Sequence, residues 1–200
     1  ITLTIDFVTA GTYVGIMKGV ILQIAPNVQV VDISHSVSSH SVMEGAFKLA
    51  SAARFFPPGT IHVGVVDPGV GSARKPIAGF DGSYFFVGPN NGLLSLCLDK
   101  TADLHHITND KLFQKPTSAT FHGRDIFAPI SAHLALGEPL EAVGPALKDY
   151  YSLIPSLARP QVLHVESIFF SVYYQLILYL AYLNVQVSLR KQFQKALITK

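Results

Sequence analysis

FFPPGTIHVGVVDPGVGSAR, residues 55–74, places a helix stop, a buried strand and a chemically loaded loop in one run. Pro57-Pro58-Gly59 cannot continue a helix. Thr60–Val66 is short, β-branched and apolar on both faces, the pattern of a strand covered on both sides in a parallel sheet. Upstream, Met43 to Phe56 reads as the helix that the Pro-Pro-Gly step closes, and Val28 to Ile33 (VQVVDI) as another strand. Before that, Val14, Met17, Ile21 and Ile24 recur at helical spacing from Tyr13 to Ala25, with Thr12 as a candidate cap and Pro26 as the stop. The opening ITLTIDF is a strand ending at Asp6. Strand, helix, strand, helix, strand within 66 residues predicts a parallel sheet with helices on its faces, because parallel neighbours need such crossovers.

Downstream, PIAGF and YFFVG flank Asp81-Gly82-Ser83 as a hairpin. GPNNG (88–92) is a turn that introduces a short apolar helix from Leu93 to Leu98, Leu104 to Thr108 is a further strand, and Asp125 is positioned to cap a helix ending at Gly137. The expected fold is therefore α/β.

Composition narrows the function classes. The 200 residues carry 15 Lys plus Arg against 13 Asp plus Glu, are 49% hydrophobic and only 14% charged, and have a mean hydropathy of +0.36, which excludes a disordered chain. A net charge of +2 without a basic cluster in the first 160 residues offers no footprint for nucleic acid. The lone Cys97 excludes an intrachain disulfide or a paired-cysteine zinc site and suits a reducing compartment, so the cytoplasm is the expected location. Ser167 to Leu189 holds no formal charge and is long enough for a bilayer, yet Ser171, Gln175, Asn184, Gln186 and four tyrosines suit a buried helix or strand pair as well.

In such sheets ligands bind at the carboxyl ends of the strands. Asp6, His35 and Asp67 fall there. DPGVGSAR brings an acid, two glycines and Arg74 together, although a simple turn with Asp67 bonded to its own backbone and Arg74 in solvent fits equally well. HGRD (122–125) has the same double reading, with Asp125 as a helix cap and His122 as a loop residue. The eight histidines form no HExxH cluster, so no metal is expected, and phosphate-loop, nucleophile-elbow and dinucleotide fingerprints are missing from the sequence.

ITLTIDF, YVGIMKGVI, VVDI, FFPPGTIHVGVVDPGVG, GPNNGLLS and TFHGRDIFAPISAHLALG, in that order, resemble the S-adenosyl-L-methionine (SAM) hydroxide adenosyltransferases, relatives of the SAM-dependent fluorinases and chlorinases. The resemblance covers about residues 1–150. It implies a mostly parallel N-terminal α/β domain, a small C-terminal β-barrel, a homotrimer with sites between subunits, and attack of water or hydroxide on C5′ of SAM to give adenosine and L-methionine without a cofactor. It assigns Asp67, Arg74 and His122 to the nucleophile, Asp6 to the ribose hydroxyls and Phe121 to the nucleoside pocket. The acidic Asp67 disfavours a halide nucleophile, so SAM-dependent halogenation ranks last.

Departures accompany the match. An acidic residue expected near Gly11 is replaced, an aromatic-Asp pair is His40-Ser41, and the family's FGN-type barrel motif has no counterpart after Val165. The chain therefore divides at 1–158 and 159–200, the second part read as a truncated or aberrant remnant of the barrel. The rival readings are an inactive SAM- or adenosine-binding fragment and, against the main expectation, a membrane-tethered form.

Overall fold

Strands with apolar side chains on both faces must be covered on both sides, and the chain meets this demand with one sheet between two helical layers. The computed structural model describes residues 1–7, 11–98 and 100–153. Among them the strands are β1 (Thr2–Ile5), β2 (Val31–Ser34), β3 (Ile61–Val65), β4 (Pro76–Phe80), β5 (Phe85–Pro89) and β6 (Asp103–His106). They lie in the order β2-β1-β3-β5-β4-β6. β1 pairs in parallel with β2 and β3, and β3 with β5, while β4 runs antiparallel to β5 and β6.

Alternation along the strands builds two cores. Leu3, Ile5, Val63 and Val65 pack with α1 (Tyr13–Ile24) through Met17 and Ile21, and with α3 (Ala128–Ala135) through Ile130 and Ala132. Val66 and Phe86 pack with α2 (Val42–Ala53) through Ala46 and Leu49, and with Leu93 and Leu94. Glycine sets the depth of this second layer. A Cβ at Gly45 of α2 would lie 2.8 Å from Leu93 and 2.9 Å from Val66, so the helix can seat this closely only without one.

The chain leaves β1 toward β2 on one side and returns past β1 to β3 on the other. This reversal opens a crevice between the carboxyl ends of β1 and β3, the usual ligand position in open α/β sheets.

Several boundaries differ from the sequence reading. β2 begins at Val31 rather than Val28, because its partner β1 starts at Thr2 and Val31 already lies opposite it. α2 ends at Ala53 instead of Phe56. Leu93 to Leu98 is a succession of turns instead of a helix; Ser95 bonds twice to the Gly92 carbonyl, through its N–H at 3.0 Å and its hydroxyl at 2.6 Å. Thr12 occupies the cap position of α1 without a side-chain cap bond. Asp125 caps nothing: it lies inside a π-helical turn, Gly123–Phe127, that runs directly into α3. The 158/159 boundary, the barrel remnant and the apolar stretch 167–189 lie outside the described residues. Among the described residues no helix is long and apolar enough to cross a membrane.

At the amino-terminal side of the sheet, His62 is fully buried and shares a 2.7 Å hydrogen bond with Thr2 Oγ1. The rings of Phe56, Tyr84 and Phe86 surround it at 5.3–5.7 Å. Burial lowers its pKa from 6.5 to about 4. Between those values the unfolded chain binds a proton that the folded chain refuses, so stability falls as pH drops through this window. Urea unfolding at pH 7 and pH 4.5 should show His62 contributing a loss of about 2 to 3 kcal/mol. The His62→Gln variant should lack that part of the slope.

Candidate active site

Asp6 follows β1 directly, and Asp67 stands two residues beyond β3. Since Ile5 is registered with Val65, and the Asp6 N–H donates to the Val65 carbonyl at 3.3 Å, both carboxylates emerge at the mouth of the crevice. The loop after Asp67 then doubles back through two tight turns. Val70 N–H donates to Asp67 O at 3.2 Å and Ser72 N–H to Gly69 O at 3.1 Å, with Gly71 at φ 77, a conformation that favours glycine. Ser72 Oγ braces the second turn, donating to Gly69 O at 2.6 Å and accepting from Arg74 N–H at 3.2 Å.

These turns return Arg74 onto Asp67 in a two-pronged contact. Nε donates to Oδ1 at 3.0 Å and Nη2 donates to Oδ2. Nη2 also donates to His122 Nδ1 at 3.0 Å, and Phe127 lies beneath the guanidinium, 5.6 Å from Cζ to the ring centre. The side chains of Arg74 and Asp67 are only 7% and 6% exposed, which overturns the alternative of a solvated Arg74. Arg74 Nη1 is buried without a hydrogen-bond partner among the described residues.

The electrostatics follow from this burial. Desolvation pushes the Asp67 carboxyl upward against the pull of Arg74, and pushes Arg74 downward against the pull of Asp67. His122 is lowered from 6.5, first by burial and then by the Arg74 charge, so its ring is neutral near pH 7. Because Nδ1 accepts from Arg74, the hydrogen of the neutral ring resides on Nε2.

Asp6 is buried, and its Oδ2 accepts the His40 N–H at 2.9 Å. Phe121 is 37% exposed; its ring lies 5.0 Å from Tyr13, which lies 4.9 Å from Phe7. Arg124 covers Phe121 at 5.1 Å and grips the fully buried Asp125 at 2.6 and 2.8 Å, while Asp125 Oδ2 also accepts Ser118 N–H at 2.8 Å. The structure thus brings Asp67, Arg74 and His122 into one hydrogen-bonded chain and sets Asp6 on the neighbouring strand. His35 goes elsewhere, 2.9 Å from Asp32, whose other oxygen takes Lys18. Sequence reasoning missed Tyr13, His40 and the Arg124–Asp125 pair. Tyr13 was read only as the start of the first helix, and the π-helical turn that buries Asp125 carries no periodic signature. No group of three His, Cys, Asp or Glu among the described residues is placed to hold a metal.

A family model described as the SAM hydroxide adenosyltransferase N-terminal domain matches residues 1–144. The chain belongs to this family. Among its relatives, the (R)-S-adenosyl-L-methionine hydrolase of Salinispora tropica is 44% identical over 154 residues, a match covering 74% of this chain and 58% of that protein. A fluorinase of an Actinoplanes species is 34% identical over 169 residues, covering 72% and 57%. The crystal structure of an uncharacterized conserved protein from Thermotoga maritima superimposes with a TM-score of 0.74 at 40% identity, over 81% of this chain and 63% of that one. The chain therefore spans less than two thirds of the length of each of these three proteins.

The buried pair predicts a stability signature. Asp67→Ala strands the Arg74 charge and should cost about 3 kcal/mol or more in urea unfolding. Adding Arg74→Met should recover most of that loss, because the charge that needed a partner is then gone.

Proposed function

We propose that the protein hydrolyses S-adenosyl-L-methionine to adenosine and L-methionine. The observation that carries this reading is the part-buried Asp67–Arg74–His122 chain at the strand-order reversal, with Arg74 Nη1 left as a buried donor lacking a partner among the described residues. The hydrolase name of the Salinispora relative supports it.

In this reaction a C5′–O bond forms as the C5′–S bond breaks. Sulfur leaves as the neutral thioether of methionine, so no general acid is needed, and one proton departs from the attacking water. The demand falls on holding and deprotonating that water. A guanidinium beside the oxygen favours hydroxide by charge, and its unpaired Nη1 supplies the hydrogen bond. Asp67 orients the water and holds Arg74 through both carboxylate oxygens. With Nδ1 held by Arg74, His122 first orients through Nε2–H and takes the proton only as the Arg74 contact opens. Asp6 would accept from the ribose 2′- and 3′-hydroxyls, since a carboxylate offers two oxygens to a cis-diol. Phe121 would line the nucleoside pocket.

The chemistry needs no cofactor. We place the reaction in the cytoplasm, which the lone Cys97 suits, and in a homotrimer, which the family resemblance implies. Water is preferred to halide because a neutral water can donate a hydrogen bond to the Asp67 carboxylate, whereas a halide has no proton to donate and is repelled by it. A second reading, nucleoside binding without turnover, keeps Asp6 and Phe121 and is favoured by the departures at Gly11 and His40-Ser41.

Incubating the full chain with SAM and following adenosine by chromatography separates the two readings. Adenosine should form, with no 5′-halogenated product in chloride or fluoride. Asp67→Asn and His122→Ala should each slow the reaction by ~100-fold or more while retaining a folded spectrum. The rate should be flat above pH 6.5 and fall below it as His122 takes up a proton, in line with its lowered pKa. Wild-type rates in both variants would remove the nucleophile assignment.

A further inference from the structure

His40 stands out in the loop after β2. Among the described residues it is the sole non-glycine at positive φ, 64°, a left-handed conformation that costs an L-residue free energy and is kept only where its surroundings enforce it. The sequence marked this position only as a departure from the family pattern. Its backbone N–H, not its imidazole, makes the contact that matters: it donates to Asp6 Oδ2 at 2.9 Å.

The loop is braced from α2. Glu44 Oε2 accepts Ser38 N–H at 3.0 Å, and Lys48 holds Glu44 Oε1 at 2.8 Å while donating to the Ser36 carbonyl at 2.8 Å. Val37 is buried in the same core cluster as Leu49. Ser41 N–H closes back on Ser38 O at 2.9 Å and Val42 N–H on His40 O at 3.0 Å, so the chain is pinned on both sides of His40. Lys48 and the Ser38 amide hold the Glu44 carboxyl down to about 2, which keeps the brace ionised at any working pH.

We infer that His40 is a positioning residue: its left-handed backbone, braced by Glu44 and Lys48, turns an amide onto Oδ2 of Asp6 and fixes the carboxylate plane for a vicinal diol. This rests on the reading of Asp6 as the ribose carboxylate. With Oδ2 already holding one donor, Oδ1 and the second lone pair of Oδ2 remain for two hydroxyls. A carboxylate free to rotate would have to be ordered on each binding event, at an entropic cost that the amide removes in advance.

The test uses one position with two substitutions that keep the same N–H. Gly adopts positive φ without strain, whereas β-branched Val resists it. Binding of adenosine and 2′,3′-dideoxyadenosine to the full chain is measured by calorimetry, with melting temperature as the control. Wild type should prefer adenosine. His40→Gly should keep that preference and raise the melting temperature, and His40→Val should reduce the preference about tenfold. Where the Val variant fails to fold, Glu44→Ala, which removes the brace, should weaken the preference, and Glu44→Gln, whose amide oxygen still accepts from Ser38, should restore it.

Equal preference in the Gly, Val and Glu44→Ala chains overturns the positioning role while leaving Asp6 on the ribose. Loss of preference in both the Gly and the Val chains also overturns it, by placing the effect in the imidazole. A wild-type chain that binds both nucleosides alike removes the ribose role of Asp6, and the inference with it. Adenosine release from SAM in that same chain reports separately on the hydrolase reading.

Discussion

A guanidinium and a carboxylate that are both nearly sealed from water must find each other or destabilise the fold. Arg74 and Asp67 do so within a seven-residue span, and much of the surrounding architecture serves that contact. The two turns at Gly69 and Gly71 bring the arginine back, Phe127 at the head of α3 floors it, and His122 takes its remaining Nη2 hydrogen bond. Burying the pair keeps its field strong, because little solvent is left to screen it. The same burial depresses His122, so the imidazole stays neutral, with its basic Nδ1 occupied by Arg74 until that contact opens. One desolvated ion pair therefore sets both the stability and the acid–base character of the crevice.

The sheet supplies the second constraint. With β1 between β2 and β3 and these neighbours reached in opposite directions, two adjacent parallel strands end together. Asp6 and Asp67 are thus placed by backbone register, which is stiffer than any loop. The parts that approach from outside, the 36–41 loop and the 118–122 segment, are each tied down by a carboxylate, Glu44 for the first and Asp125 for the second. Preorganisation in this molecule comes from acids outside the proposed nucleophile site as well as from the acids within it.

Much of this was legible in the chain. The βαβαβ opening and the hairpin of β4 and β5 follow from periodicity and turn residues, which leave local marks, and Asp67, Arg74 and His122 from the resemblance that the ordered blocks carry. The failures were non-local. The start of β2 depends on where its partner begins, and no property of VQVVDI carries that information. Leu93 to Leu98 has helical composition, but Ser95 captures the Gly92 carbonyl and tightens the segment into turns. Asp125 looks like a cap because acids precede helices so often; its burial against Arg124 and the Ser118 amide requires knowing how the segment before it returns. His40 showed in the chain only as a departure from the family pattern, since its contribution is a backbone angle that no side-chain pattern encodes.

The π-helical turn at Gly123–Phe127 carries a consequence for how this segment tolerates length change. A π turn holds one residue more than an α turn, so deleting a residue from it would leave a regular helix with all its carbonyls satisfied. The repaired helix would be locally sounder, yet everything upstream would swing by roughly 100° about its axis. His122 sits at that upstream boundary. A one-codon deletion here would thus keep a regular helix while turning His122 out of the crevice, making this stretch one where chain length itself is a functional property.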